Sequence, residues 1–152
     1  AATDQSKWPS HSGHEALGIA LQDQIAKRLR IPNEHNQLAA LVCEHHTKLH
    51  RIQQLQPIAL LNLLESLDAF RRPERLEKFL LVCEAVVPGR IGFEDQEYPQ
   101  RDYLNAVLAA TRDLNFATLL AEKGKGNAAE AVKNRRLQLV TDKVAELSAS
   151  ND

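Results

Sequence analysis

The chain has 152 residues, 43% of them apolar, and a formal net charge of −1 from 19 basic and 20 acidic side chains. That length and apolar content suit one helical or mixed domain with a real core and exclude a disordered chain. The near balance of charge excludes an overall basic field that would gather nucleic acid, so any such binding must come from local clusters of Lys and Arg.

Residues 1–7 hold no signal-like hydrophobic region and are expected to be flexible, as are residues 148–152. No stretch approaches the roughly 20 apolar residues of a membrane span, which points to a cytoplasmic protein with no membrane partner. The first residue is Ala rather than Met, so the polypeptide is expected to be processed or cut from something longer. Leu17, Leu21, Ile25 and Leu29 recur every four residues and predict a first helix over about 14–30, stopped by Pro32. Asn33 is the expected N-cap of a second helix carrying Leu38, Leu41, Val42 and Leu49. Pro57 suits the first position of a third helix with Leu60, Leu61, Leu64 and Leu67, and Pro73 that of a fourth with Leu76, Phe79, Leu80 and Cys83. Pro88-Gly89 and the stretch from Gly92 to Pro99 read as the longest loop. A long helix is expected from Gln100 to Glu122, ended by Gly124 and Gly126, and Asn127-Ala128-Ala129-Glu130 reads as a capping box for a last helix through Leu147. No alternating strand pattern competes, so the fold class expected is all-α, a single bundle of about six helices.

Of the six histidines, His14 opens the first helical pattern and His46 closes the second, 32 positions later. Two helices entered and left at these points would bring both imidazoles to one end of a helical pair, where they could meet a metal or a phosphate. The adjacent His45 and His46 point about 100° apart on a helix and cannot both face one ion. His46 shares the inward face of Val42, and His50 lies one turn further on the same side. The competing reading of such histidines is a cap, a surface residue or a packed core member. Glu65 and Asp68 stand at i and i+3 in the third helix, and Asp68 is either a metal-site carboxylate or a partner for Arg71, Arg72 or Arg75. Cys43 and Cys83 show no C-x-x-C spacing and fit small buried thiols of a reducing compartment.

Basic residues fall into three groups: Lys27, Arg28 and Arg30; Arg71, Arg72 and Arg75; and Lys123, Lys125, Lys133, Arg135 and Arg136. Such charges at helix ends can simply complement the dipole and keep a surface soluble. Phosphate contact is the functional alternative, favoured at Lys123-Gly124-Lys125-Gly126, where glycines let backbone amides approach an anion. The P-loop, dinucleotide-binding and nucleophile-elbow patterns are absent.

Trp8-Pro9 with His11, Gly13-His14-Glu15, Arg28-Leu29-Arg30-Ile31-Pro32-Asn33-Glu34, Leu41-Val42-Cys43-Glu44-His45-His46, Leu67-Asp68-Ala69-Phe70-Arg71-Arg72-Pro73-Glu74-Arg75, Cys83-Glu84-Ala85, Gly89-Arg90-Ile91-Gly92-Phe93-Glu94 and Tyr98-Pro99-Gln100 occur in that order. The series, from about Trp8 to Arg136, resembles the C-terminal HD-type helical domain of the bacterial tRNA nucleotidyltransferases, the CCA-adding enzymes. The resemblance implies tRNA as partner, a nucleotidyltransferase head as a second partner, and a metal-dependent phosphohydrolase site. The His-Asp dyad that names the HD class is expected upstream of Trp8, and His11-Ser12-Gly13-His14 stands where the family usually reads His-His-Gly-His. These expectations give His14, His46 and Asp68 as metal residues for a divalent ion of the nickel or magnesium class. They give Arg71, Arg72, Arg75, Lys123 and Lys125 as RNA-contacting residues. No catalytic residue is assigned, and the chain alone is expected to be a tRNA-docking module rather than a complete enzyme. The alternative is a residual 2′,3′-cyclic phosphodiesterase or phosphatase. A homodimer is also expected, because the apolar faces of the first two helices would be left uncovered.

Overall fold

The computed structural model describes residues 13–89, 95–112, 114 and 128–150, and these are helical without a strand. Its elements are α1 (His14–Leu29), α2 (Asn33–His50), a 3₁₀ turn (Ile52–Gln54), α3 (Pro57–Ser66), α4 (Pro73–Ala85), α5 (Gln100–Arg112) and α6 (Ala128–Ala149). The all-α expectation holds. The described residues divide into two compact units, the first built from α1, α2 and the part of α4 from Glu74 onward, the second from the 3₁₀ turn, α3, α5 and α6.

In the first unit α1 and α2 form a helical hairpin across the short link at residues 30–32. Gln22 Nε2 donates to the Asn36 carbonyl at 3.1 Å and to Asn36 Oδ1, near the link. Further along, a Cβ on Gly18 would lie 3.5 Å from Cys43 Sγ, so the backbone of α1 comes close to α2 there. At the open end Thr47 Oγ1 donates to Glu15 Oε1 at 3.1 Å. These pairings run in opposite directions along the two helices, which makes the hairpin antiparallel. The contact is thin on the α1 side: Ala26 is its buried residue, while Leu17, Leu21 and Ile25 stay 44–45% exposed and Leu29 60%.

The end of α1 is set before Pro32 is reached. Arg30 takes a left-handed conformation (φ 52°), its N–H donates to the Lys27 carbonyl at 3.4 Å, and the Ile31 N–H donates to the Ala26 carbonyl at 2.9 Å. This is a Schellman closure built on an arginine instead of a glycine. Pro32 then starts α2, since its carbonyl accepts from the N–H groups of His35 and Asn36 at 3.1 Å. The N-cap is therefore Pro32, and Asn33 is the first helical residue.

In the second unit α3 buries Leu60, Leu61, Leu63 and Leu64 and packs against α6. Its other face, with Ile58, Asn62, Glu65 and Ser66, is exposed. Pro57 occupies its first turn as expected, after Gln56. α5 packs on α6 and on the 3₁₀ turn, burying Tyr103, Leu104, Val107, Leu108 and Thr111 as one stripe. Ile52, Leu67 and Val140 complete this core with no exposure. Arg136 of α6 lays its guanidinium carbon 3.7 Å from the centroid of the Phe70 ring, a cation–π contact in which burial lowers the arginine's basicity while Glu65 opposes that shift.

Two further helix ends differ from expectation. α5 ends at Arg112, and Leu114 is no longer helical, its N–H donating to the Arg112 carbonyl. Thr111, in the last turn of α5, donates its hydroxyl to the carbonyls of Val107 and Leu108 at 3.0 and 2.9 Å. The rest of the helix expected to Glu122, and its Gly124 and Gly126 stop, lie outside the described residues. The last helix begins at Ala128 and runs two residues past Leu147, with Ser148 donating to the Val144 carbonyl at 2.9 Å.

Candidate functional site

The open end of the α1–α2 hairpin carries the histidines. His14 is the first residue of α1 and His46 lies in the last turns of α2, so antiparallel pairing alone brings them level. Their Nε2 atoms are 3.2 Å apart, with ring centroids 5.3 Å apart and the rings inclined at 65°. His46 Nδ1–H donates to the Val42 carbonyl at 2.9 Å, because a carbonyl can only accept. In the neutral ring Nε2 then accepts, with His14 Nε2–H as the donor across the 3.2 Å gap. His50 follows one turn later with its ring centroid 6.0 Å from that of His46. His45 takes the other direction: it is 3% exposed, and burial holds its imidazole below the ordinary range, against the opposing pull of Glu44. The expectation that His45 and His46 cannot serve one site agrees with this arrangement.

Two residues that the spacing did not single out complete this end. Glu15 receives the Thr47 hydroxyl through Oε1 and sets Oε2 3.6 Å from His14 Nδ1. Its carboxyl is held below the usual range first by its own backbone N–H in the opening turn of α1, then by Thr47 and the two imidazoles, with desolvation opposing. Thr47 Oγ1 also lies 3.4 Å from His46 Nε2. The available signal was the interval: residues 15 and 47 are separated by 32 positions, as are 14 and 46.

Asp68 belongs to the second unit. It does not sit on the third helix with Glu65, because α3 stops at Ser66 and Asp68 follows in the left-handed region (φ 54°). The Asp68 N–H donates to the Glu65 carbonyl and the Ala69 N–H to the Leu64 carbonyl, both at 3.0 Å, so it closes α3 as Arg30 closes α1. Its carboxylate pairs with Arg71 Nε at 3.7 Å and Arg72 Nε at 3.6 Å. Both arginines are exposed, and Arg75 is half-buried in the first turn of α4. Lys123 and Lys125 lie outside the described residues. Among the described residues no group of three or more His, Cys, Asp or Glu side chains gathers as a metal site. Cys83 is buried and Cys43 only half-buried, and neither is in a disulfide.

No protein-family model matches the chain, and no solved structure does. Curated proteins do match it. A protein of Thioalkalivibrio sulfidiphilus named multifunctional CCA protein is 46% identical over 139 residues, covering 91% of this chain and 34% of that protein. The chain is a relative of the multifunctional CCA proteins. The multifunctional CCA protein of Pseudomonas savastanoi pv. phaseolicola is 42% identical over 137 residues, 90% of this chain and 34% of its own length. That of Alcanivorax borkumensis is 41% identical over 148 residues, 96% of this chain and 36% of its own length. The chain therefore spans about a third of the length of the curated multifunctional CCA proteins it matches, and it corresponds to their C-terminal part. Among the described residues of this part, no helix is long and apolar enough to cross a membrane.

Proposed function

We propose that this chain is the tRNA-docking helical part of a CCA-adding nucleotidyltransferase, active in nucleotide addition only with a head that it does not itself supply. The observation that carries this reading is the identity of 41–46% with multifunctional CCA proteins over nine-tenths of the chain. Arg71 and Arg72 support the docking role. They are held beside Asp68 with their side chains 76% and 54% exposed, so their donors remain open to a phosphate backbone. Arg75, Lys123 and Lys125 are included in the same proposal. The test is a fluorescence titration of the chain against intact tRNA and an unrelated single strand, at low and physiological salt. Tighter binding to tRNA that weakens steeply with salt is expected, with a shallower salt slope in Arg71→Ala/Arg72→Ala. Equal and negligible binding to both nucleic acids would overturn the docking role.

A second reading, a metal-dependent phosphohydrolase, is favoured by the paired imidazoles. Two nitrogens about 2.0–2.1 Å from one ion, subtending roughly 90–109° there, lie about 2.8–3.4 Å apart. The 3.2 Å between His14 Nε2 and His46 Nε2 falls in that range. The pair fits a two-imidazole chelate for a borderline transition ion, short of the full set of protein ligands a hydrolytic site uses. A bound ion would supply a polarised phosphoryl oxygen. This chain's own part is to present one ring nitrogen from each helix, with the Val42 carbonyl fixing the tautomer of His46. Metal-dependent hydrolysis of a 2′,3′-cyclic nucleotide that is lost in His14→Ala would support this reading, and hydrolysis unchanged in that variant would end it.

A further inference from the structure

We propose that Arg136, held on the ring of Phe70, is a phosphate-contacting residue of the RNA-docking surface; this deepens the docking reading and rests on it. Sequence alone places Arg136 in a basic group with Lys133 and Arg135 and does not single it out. The fold does. Lys133 and Arg135 are exposed on α6, whereas Arg136 is half-buried with its guanidinium carbon 3.7 Å from the centroid of the Phe70 ring. Phe70 stands in the turn that follows α3, directly before Arg71 and Arg72 in the chain. The packing of α6 on α3 thus brings a third guanidinium to the segment that carries the other two, all within the second unit.

The three arginines are held in different ways. Arg71 and Arg72 set Nε 3.7 and 3.6 Å from the Asp68 carboxylate, which answers part of their charge. Among the described residues Arg136 forms no ion pair; Glu65 favours its charge, but what touches the guanidinium is the ring. A guanidinium carbon that close to a ring centroid leaves no space for a nitrogen pointing into the ring, so the group lies flat on it and its N–H edges face sideways. Nε is buried without a hydrogen-bond partner, which leaves the two terminal nitrogens as the edge a ligand can reach. The ring therefore fixes the direction of the fork without using its outer donors. Burial has also taken water from a charge that no carboxylate meets at contact, and a phosphate oxygen supplies both an acceptor and the opposite charge. With Arg71 and Arg72 beside it, the arrangement suits successive phosphates of an RNA strand better than a single carboxylate.

The test is a titration of this chain with intact tRNA over a series of salt concentrations, for the wild type and for Arg136→Ala, Arg136→Lys, Phe70→Leu and Phe70→Tyr, each checked for folding by circular dichroism. Arg136→Ala removes one phosphate contact, so affinity should fall about fivefold near 0.15 M salt and the slope of log affinity against log salt should lessen by about one. Arg136→Lys and Phe70→Leu keep the charge but lose the fork or its support. Their affinity should fall about two- to fivefold with the slope unchanged, and Phe70→Tyr, which keeps a ring, should recover the affinity that Phe70→Leu loses. A stack that serves stability alone would lower the melting temperature of these variants without moving the affinity of the folded chains. Folded Arg136→Ala that binds tRNA with wild-type affinity and slope would overturn the proposal and leave the docking reading standing. A loss in Arg136→Ala with none in folded Arg136→Lys and Phe70→Leu would overturn the part given to the fork and the ring. Negligible binding of tRNA by the wild-type chain would end the docking reading itself, and this inference with it.

Discussion

Arg30 and Asp68 each close a helix with a side-chain-bearing residue at positive φ, 52° and 54°. An L-residue there costs about 1–2 kcal/mol relative to its right-handed conformation, and glycine avoids that cost. Arg30→Gly should therefore raise stability by about 1 kcal/mol, measured as a higher urea midpoint with an unchanged slope. Asp68→Gly should gain less, because Asp tolerates this conformation better than Arg and its carboxylate engages Arg71 and Arg72. Neither cap is legible in the sequence, since the signal for a left-handed closure is a glycine and neither position has one. That is also why spacing alone places Asp68 beside Glu65 on one helix. Cys83 gives a second prediction at this scale. It is 1% exposed, and burial pushes its thiol up to about 12. A folded-state value raised above the unfolded one contributes stability below about pH 9 and loses it as pH climbs toward 12. Between pH 9 and 10 the chain should lose about 1 kcal/mol more than Cys83→Ala, checked by urea melts at both pH values.

At the scale of the element, Gly18 is a point where the backbone of α1 comes close to α2. A Cβ there would meet Cys43 Sγ at 3.5 Å and Cβ at 3.8 Å, both ordinary contacts, and Gly18 has no positive φ. Gly18→Ala should stabilise by about 0.5–1 kcal/mol through helix propensity, while Gly18→Leu should cost about 1–3 kcal/mol by forcing the hairpin apart. Thermal melts of the two variants, moving in opposite directions, would check the argument. A fall in melting temperature for Gly18→Ala would contradict it. The helices themselves are readable because prolines mark their starts: Pro57 and Pro73 stand at the first positions of α3 and α4. The end of α5 at Arg112 is not readable, because the apolar pattern continues past Arg112.

At the scale of the whole molecule, the ordered series of motifs makes the relationship legible, while the arrangement within each unit requires coordinates. The histidine pair is legible because it needs only two antiparallel helices of known ends; the shared 32-residue interval puts Glu15 level with Thr47, but that they bond depends on which way their side chains turn. The stripe of Leu17, Leu21 and Ile25 on α1 is 44–45% exposed. Leu17→Lys/Leu21→Lys should therefore cost no more than about 1 kcal/mol, since each long stem still covers the helix while its charge sits in water. A loss above about 2 kcal/mol in urea melts would show that the stripe is covered in solution.

The shallow seating of α1 also bears on how tightly the histidine pair can hold anything. With Ala26 as its buried residue, α1 has little buried surface to hold it on its partner, and His14 rises with it when it lifts. Recognition at this end and closure of the hairpin then share one equilibrium. Apparent affinity is the intrinsic affinity scaled by the fraction of time the hairpin is shut, and any ligand captured between His14 and His46 returns that free energy by clamping α1 down.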